Sequence, residues 1–117
     1  MSDTESNDSR IVSEETIMAF VYEKVFDVSG VYGMGLSMSA TAIRKSLLGQ
    51  DKKTRGVRVT YDDEKGYTID IYLIAVFDTN IPETAWNVQK LVHRELLSEF
   101  DVKPEDINIH IQGVHLG

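Results

Sequence analysis

Tyr67-Thr-Ile-Asp-Ile-Tyr-Leu-Ile-Ala-Val-Phe77, then Asn80-Ile81-Pro82-Glu83, then Ile107-Asn108-Ile109-His110-Ile111 is the stretch that decides the fold. In its first part Tyr67, Ile69, Ile71, Leu73, Ala75 and Phe77 are apolar at every second position, the period of a strand with one face on a core. From Leu73 onward Ile74 and Val76 make the other side apolar too. That suits an interior strand covered on both faces, or one flanked by an oligomer contact. Asn80 can cap a helix, Glu83 stands three residues on as in a capping box, and Pro82 is tolerated in a first turn. Ala85, Val88, Val92 and Leu96, flanked by Leu91, give that helix its expected buried stripe. Pro104, within 101–106, stops it. Ile107, Ile109 and Ile111 then alternate with Asn108, His110 and Gln112, and Gly113 shifts the phase so that Val114 and Leu116 become the apolar positions, as at a bulge. Two strands joined through a helix in one sheet lie parallel with a right-handed crossover.

Working outward, Val57, Val59 and Tyr61 alternate with Arg58 and Thr60, and Asp62-Asp-Glu-Lys-Gly66 reads as the loop of an antiparallel hairpin. Further upstream, Ser13 can cap a helix whose first turn holds Glu14 and Glu15, with Ile17, Val21, Val25 and Val28 as its apolar stripe and Met18 and Phe20 widening it. Gly30 ends that helix. Gly30-Val-Tyr-Gly-Met-Gly35 is too rich in glycine for a helix interior and reads as a turn or a short irregular strand. Residues 40–48 read as a short helix and 50–55 as an exposed loop. The fold class is therefore α+β: a two-layer domain with a mixed sheet, a β-hairpin, a right-handed β-α-β unit, and helices packed on the sheet.

The chain has 117 residues, 42% apolar and 26% charged, as expected of one folded domain with a single core. Residues 1–10 are polar and acidic and read as a disordered tail, leaving 11–117 as the domain. Such a start is unlike a signal peptide, and no apolar run approaches the roughly 20 residues that cross a bilayer, so the expectation is a cytoplasmic chain with no direct membrane insertion. The absence of cysteine removes disulfides, thiolate metal sites and cysteine nucleophiles. A net charge of −7 argues against nonspecific nucleic-acid binding, which depends on Lys and Arg against phosphates. The positive charge is concentrated in Arg44, Lys45, Lys52, Lys53, Arg55 and Arg58.

His93, His110 and His115 are the side chains whose ordinary pKa suits acid-base work at neutral pH. His93 reads as a surface residue. Asp70 could face His110 across the parallel strands as an acid-base couple. The ordinary reading of Thr68, Asp70 and Tyr72 is a solvent-facing polar row, since neither a nucleophile nor an oxyanion arrangement accompanies it. His110 and His115 could share a face beyond the bulge, yet zinc wants at least three protein ligands. No catalytic residue, metal ligand or cofactor is expected. Gly30 and Gly33, followed by Arg44 and Lys45 in the basic segment 44–58, carry an alternative: a GxxG loop gripping a nucleic-acid backbone as in KH domains.

The ordered series is a helix, Gly30-Val31-x-Gly33-Met34, a basic loop, Gly56-Val57-x-Val59, Ile69-Asp70-Ile71-x-Leu73-Ile74-Ala75-Val76, Ile81-Pro82-Glu83, Val88-Gln89, Val92 and Ile107-Asn108-Ile109-His110-Ile111-x-Gly113-Val114. Taken together it resembles the alkaline shock proteins, or envelope stress response proteins, of Gram-positive bacteria. The likeness covers about residues 11–116. It departs from the family pattern at Val76-Phe77-Asp78, where a Glu-Tyr-Gly turn is usual, and at Glu99-Phe100-Asp101, where Thr-Gly is usual. The resemblance implies a non-enzymatic cytoplasmic protein of envelope homeostasis that forms homo-oligomers and is held near the membrane by a membrane-anchored family partner. Ile81, Pro82, Glu83 and Trp86 at the start of the second helix, with Lys52, Lys53 and Arg55, are the candidate partner-binding residues.

Overall fold

The computed structural model describes residues 11–35 and 56–116. The tail 1–10, the helix expected over 40–48 and the loop expected over 50–55 lie outside the described residues. In chain order the elements are α1 (Glu14–Val25), β1 (Val31–Met34), β2 (Val57–Asp62), β3 (Gly66–Val76), α2 (Ile81–Phe100) and β4 (Asp106–His115).

β3 is the spine. Along one edge it pairs in parallel with β4 from Thr68↔Asp106 to Val76↔His115. Its first half pairs antiparallel with β2, Val57 opposite Ile71 and Asp62 opposite Gly66, and its second half with β1, Val31 opposite Ala75. Tyr72 is the join between them: its carbonyl accepts from Gly35 N–H and its N–H donates to Gly56 carbonyl, both at 2.7 Å. β1 and β2 therefore share one edge of β3 end to end, and the sheet is mixed and four-stranded. At that join a Cβ on Gly56, whose φ is +86°, would stand 2.8 Å from the Gly35 carbonyl oxygen, so only glycine fits.

Both helices cover the face that carries the odd residues of β3. Ile69, Ile71 and Leu73 are wholly buried there with Ile17 and Val21 of α1 and Val88, Val92 and Leu96 of α2. Each such side chain contributes roughly 1.5–3 kcal/mol by leaving water. The hydroxyl of Tyr67 donates to the Val12 carbonyl and Glu14 accepts from Tyr61 N–H at 3.0 Å, tying the start of α1 to the hairpin. Phe20 and Phe100 meet edge to face at 5.0 Å and join the helices.

The caps follow the sequence. Ser13 accepts from Thr16 N–H, and Asn80 Oδ1 from Glu83 N–H at 3.1 Å. Two details differ from expectation. α1 stops at Val25, because Asp27 and Val28 turn back on Lys24 and Val25 in short-range bonds, and Val28 is buried from beyond the helix. In α2 the first buried position is Thr84 instead of Ala85, giving the series Thr84, Val88, Val92, Leu96 one turn apart. Thr84 sits against Gly30, where a Cβ would approach its Oγ1 to 2.5 Å. The bulge at Gly113 is present: Leu73 pairs with Ile111 but Ile74 with Gly113.

Candidate functional site on the open sheet face

Among the described residues the other face of the sheet has no second layer, and the even residues of β3 lie on it. Asp70 is its centre. Register puts Arg58 directly across on β2 and Asn108 directly across on β4. Arg58 Nη2 donates to Asp70 Oδ2 at 3.4 Å, and Asn108 Nδ2 donates to Oδ1 at 3.2 Å. His110, two residues further along β4, reaches back so that its Nε2 lies 3.0 Å from Oδ1. The couple that the sequence offered between Asp70 and His110 is thus formed.

The row is not solvent-facing as its ordinary reading had it. Asp70 is only 9% exposed and Tyr72 8%, because neighbours lie across them. The His110 ring stacks on Tyr72, its direct partner in register, with centroids 4.4 Å apart and planes 12° apart. A second stack follows where β1 and β4 flank β3: Tyr32 lies on His115 at 3.8 Å and 6°. His110 and His115 do share a face. Burial pushes the Asp70 carboxyl up, but hydrogen bonds from His110 and Asn108 and the charge of Arg58 outweigh it and hold it below the ordinary carboxylate value.

A carboxylate so engaged is a structural anchor: three side chains from two neighbouring strands converge on it and fix the imidazole of His110 on Tyr72. The arrangement can orient polar and aromatic groups on a flat surface. Among the described residues, no group of three or more His, Cys, Asp or Glu side chains is placed to hold a metal ion.

The other sequence candidates fall elsewhere. Ile81, Pro82 and Glu83 form the first turn of α2, with Pro82 and Glu83 exposed, and Trp86 is 56% exposed with Lys90 Nζ 5.4 Å above its ring. A surface groove runs between α2 and the start of β4, with Trp86 and Ile107 among charged side chains that include Lys90, Arg94, Glu105 and Asp106, and Gln89 Nε2 donates across it to the Ile107 carbonyl at 2.7 Å. The side chains that the sequence offered as partner-binding candidates are thus separate from the Asp70 cluster. Gly30, at φ +99°, makes the turn out of α1, while Gly33 lies inside β1 opposite Ile74. The segment is the turn and short irregular strand that its composition suggests. Lys52, Lys53 and Arg55, with Arg44 and Lys45 of the nucleic-acid alternative, lie outside the described residues. Sequence reasoning missed Arg58, Asn108 and Tyr72 as members of one cluster around Asp70 and His110, and Tyr32 as the partner of His115. The available signal was the hairpin length, which sets Arg58 opposite Asp70 once Asp62 faces Gly66.

A mixed sheet backed on one face by two helices, with a hydrogen-bonded carboxylate at the centre of the other face, defines an α+β domain. The chain belongs to the alkaline shock protein 23 family, a family of cell envelope-related function, whose pattern matches residues 2–116. This is the family that the sequence resembles. Uncharacterized protein YqhY of Bacillus subtilis (strain 168) is 29% identical over 103 residues, spanning 88% of this chain and 74% of that protein. Uncharacterized protein YloU of the same organism is 29% identical over 105 residues, 90% of this chain and 87% of its own length. Uncharacterized protein Spy1614 of Streptococcus pyogenes serotype M6 is 25% identical over 103 residues, covering 88% and 84%. No solved structure matches the chain. No helix among the described residues is long and apolar enough to cross a membrane.

Proposed function

We propose that this chain is a non-enzymatic, cytoplasmic member of the envelope and alkaline stress response, a self-associating scaffold that docks near the membrane on a membrane-anchored partner. The observation that carries the reading is where its large apolar side chains lie. Phe77, Trp86, Val114 and Leu116 are 57%, 56%, 47% and 81% exposed, around the ends of β3 and β4 and the first turns of α2. Exposed aromatic and aliphatic residues on rigid elements are the raw material of protein contacts. Ile81, Pro82, Glu83 and Trp86 remain the residues assigned to the partner, because they present a rigid helix start beside that apolar rim.

In-cell crosslinking of a tagged full chain, followed by purification of the membrane fraction, tests the proposal. Recovery of a second copy of the chain together with a protein bearing a membrane-spanning helix is expected, and Trp86→Ala should reduce the second without the first. Recovery of neither would overturn it.

A further inference from the structure

The outer edge of β4 carries an interface of its own. Tyr67 carbonyl accepts from Glu105 N–H and Phe77 N–H donates to the His115 carbonyl, whereas Tyr72 and Val76 direct their N–H groups to Gly56 and Gly30. Odd residues of β3 therefore address β4. In a parallel pair a residue bonds to the two that flank its register partner. Ile69, Ile71 and Leu73 face Ile107, Ile109 and Ile111, so those three isoleucines turn their N–H and C=O groups away from β3. The bond from Gln89 to the outward Ile107 carbonyl agrees. Val114, opposite Ala75 beyond the bulge, points outward as well.

Among the described residues no other strand lies on that edge. Natural edges are usually blunted by Lys, by Pro or by inward charges. From Ile107 to Leu116 there is no Lys, Arg, Asp, Glu or Pro, in a chain of which 26% is charged. The bulge falls after Ile111, so Ile107–Ile111 keeps regular pairing.

We infer that two copies of this chain join through this edge, β4 antiparallel to β4 with Ile109 opposite Ile109, making one continuous sheet. The inference rests on the self-association reading above and gives it a site. Self-complementarity selects a second copy as the occupant. About a two-fold axis at Ile109, the outward residues meet one another, Ile109 with Ile109 and Ile107 with Ile111. On the helix side isoleucine meets isoleucine, and on the open side Asn108 meets His110, extending the polar row of Asp70. No like charges oppose. Further along, Val114 and Leu116 of each copy run past Pro104 and Ile107 of the other, on the helix side, where the groove under Trp86 and His93 lies. Val114 and Leu116, exposed in one copy, thereby reach Trp86, Pro104 and Ile107 in a groove whose rim carries Lys90, Arg94, Glu105 and Asp106.

The chain has no cysteine, so single-cysteine variants report register directly. In a hydrogen-bonded antiparallel pair Cα atoms stand about 5.5 Å apart, within disulfide reach. Ile109→Cys should form a covalent dimer under mild oxidation. Ile111→Cys should crosslink far less at the same concentration, since its two thiols would lie four residues, about 13 Å, apart. Val114→Asp, altering an exposed residue, should weaken association about tenfold or more by setting a carboxylate beside Glu105 and Asp106 of the other copy. Its far-UV circular dichroism should be unchanged. If the wild-type chain self-associates but the two cysteine variants crosslink equally or not at all, or Val114→Asp associates normally, the edge interface is wrong while self-association stands. A wild-type chain that stays monomeric defeats both.

Discussion

His110 Nε2 lies 3.0 Å from Asp70 Oδ1, although His110 stands two residues beyond Asn108, the register partner of Asp70 on the neighbouring parallel strand. The contact turns a row of alternating polar residues into a cluster in which half-exposed Arg58 and His110 cover a nearly buried carboxylate. It also places the only carboxylate on the middle of β3 where Arg58 and Asn108 must address it from opposite sides.

Asp70→Ala should lower stability by roughly 1–3 kcal/mol at neutral pH, because hydrogen bonds to a charged group are lost and three donors lose their acceptor. The sign of the pH dependence follows from the depressed carboxyl. Its folded-state pKa is below the unfolded value of 3.8, so its contribution is present above that value and is lost as pH falls through the folded pKa. Urea denaturation of wild type and variant should show a gap that is constant near neutrality and closes below about pH 4. A gap that widens on acidification would contradict the assignment.

Gly30→Ala and Gly66→Ala should differ. Both positions have positive φ, +99° and +92°, but a Cβ at Gly30 meets Thr84 Oγ1 at 2.5 Å and Thr79 Cγ2 at 2.7 Å, while at Gly66 nothing lies within 4 Å. The Gly66 change should cost about 1 kcal/mol of backbone strain, and the Gly30 change clearly more, roughly 2–4 kcal/mol. Chemical denaturation of the two variants side by side measures the difference, and equal costs would refute the close packing of Thr84.

Leu96→Ala and Leu97→Ala test which face of α2 is buried. Leu96 is fully buried and Leu97 is 40% exposed. The first should cost about 2–5 kcal/mol and the second under about 1. Thermal melts with a common baseline read both.

Asn80→Ala should destabilise the protein by about 0.5–2 kcal/mol, since it removes the acceptor for Glu83 N–H at the first turn of α2. Asn80→Asp should restore most of that loss, keeping the acceptor and adding negative charge at the positive end of the helix.

What could be read from sequence was whatever depends on near neighbours along the chain. The strand period of Tyr67–Val76, the caps at Ser13 and Asn80, the turn before Gly66 and the phase shift at Gly113 are local signals, and each appears in the structure. The parallel pairing of β3 with β4 followed from the helix that joins the two strands. Other features were settled by distance between elements. β1 shares an edge with β2 because Gly35 and Gly56 both reach Tyr72, which no pattern within Gly30–Gly35 encodes. Thr84 replaces Ala85 in the buried stripe because Gly30 leaves room for it. Asp70 and Tyr72 read as solvent-facing because alternation shows which side of a strand a residue takes, not what lies across it. Phe77 continues the apolar alternation yet lies beyond the last paired residue of β3 and is exposed.

Sedimentation equilibrium of the full chain over a wide concentration range addresses the central claim most directly, namely that this domain acts by meeting copies of itself and other proteins through its surface. The account predicts a weight-average mass that climbs reversibly above the 13.2 kDa of one chain as concentration rises. A mass that holds at that value up to the highest concentration reached would contradict it.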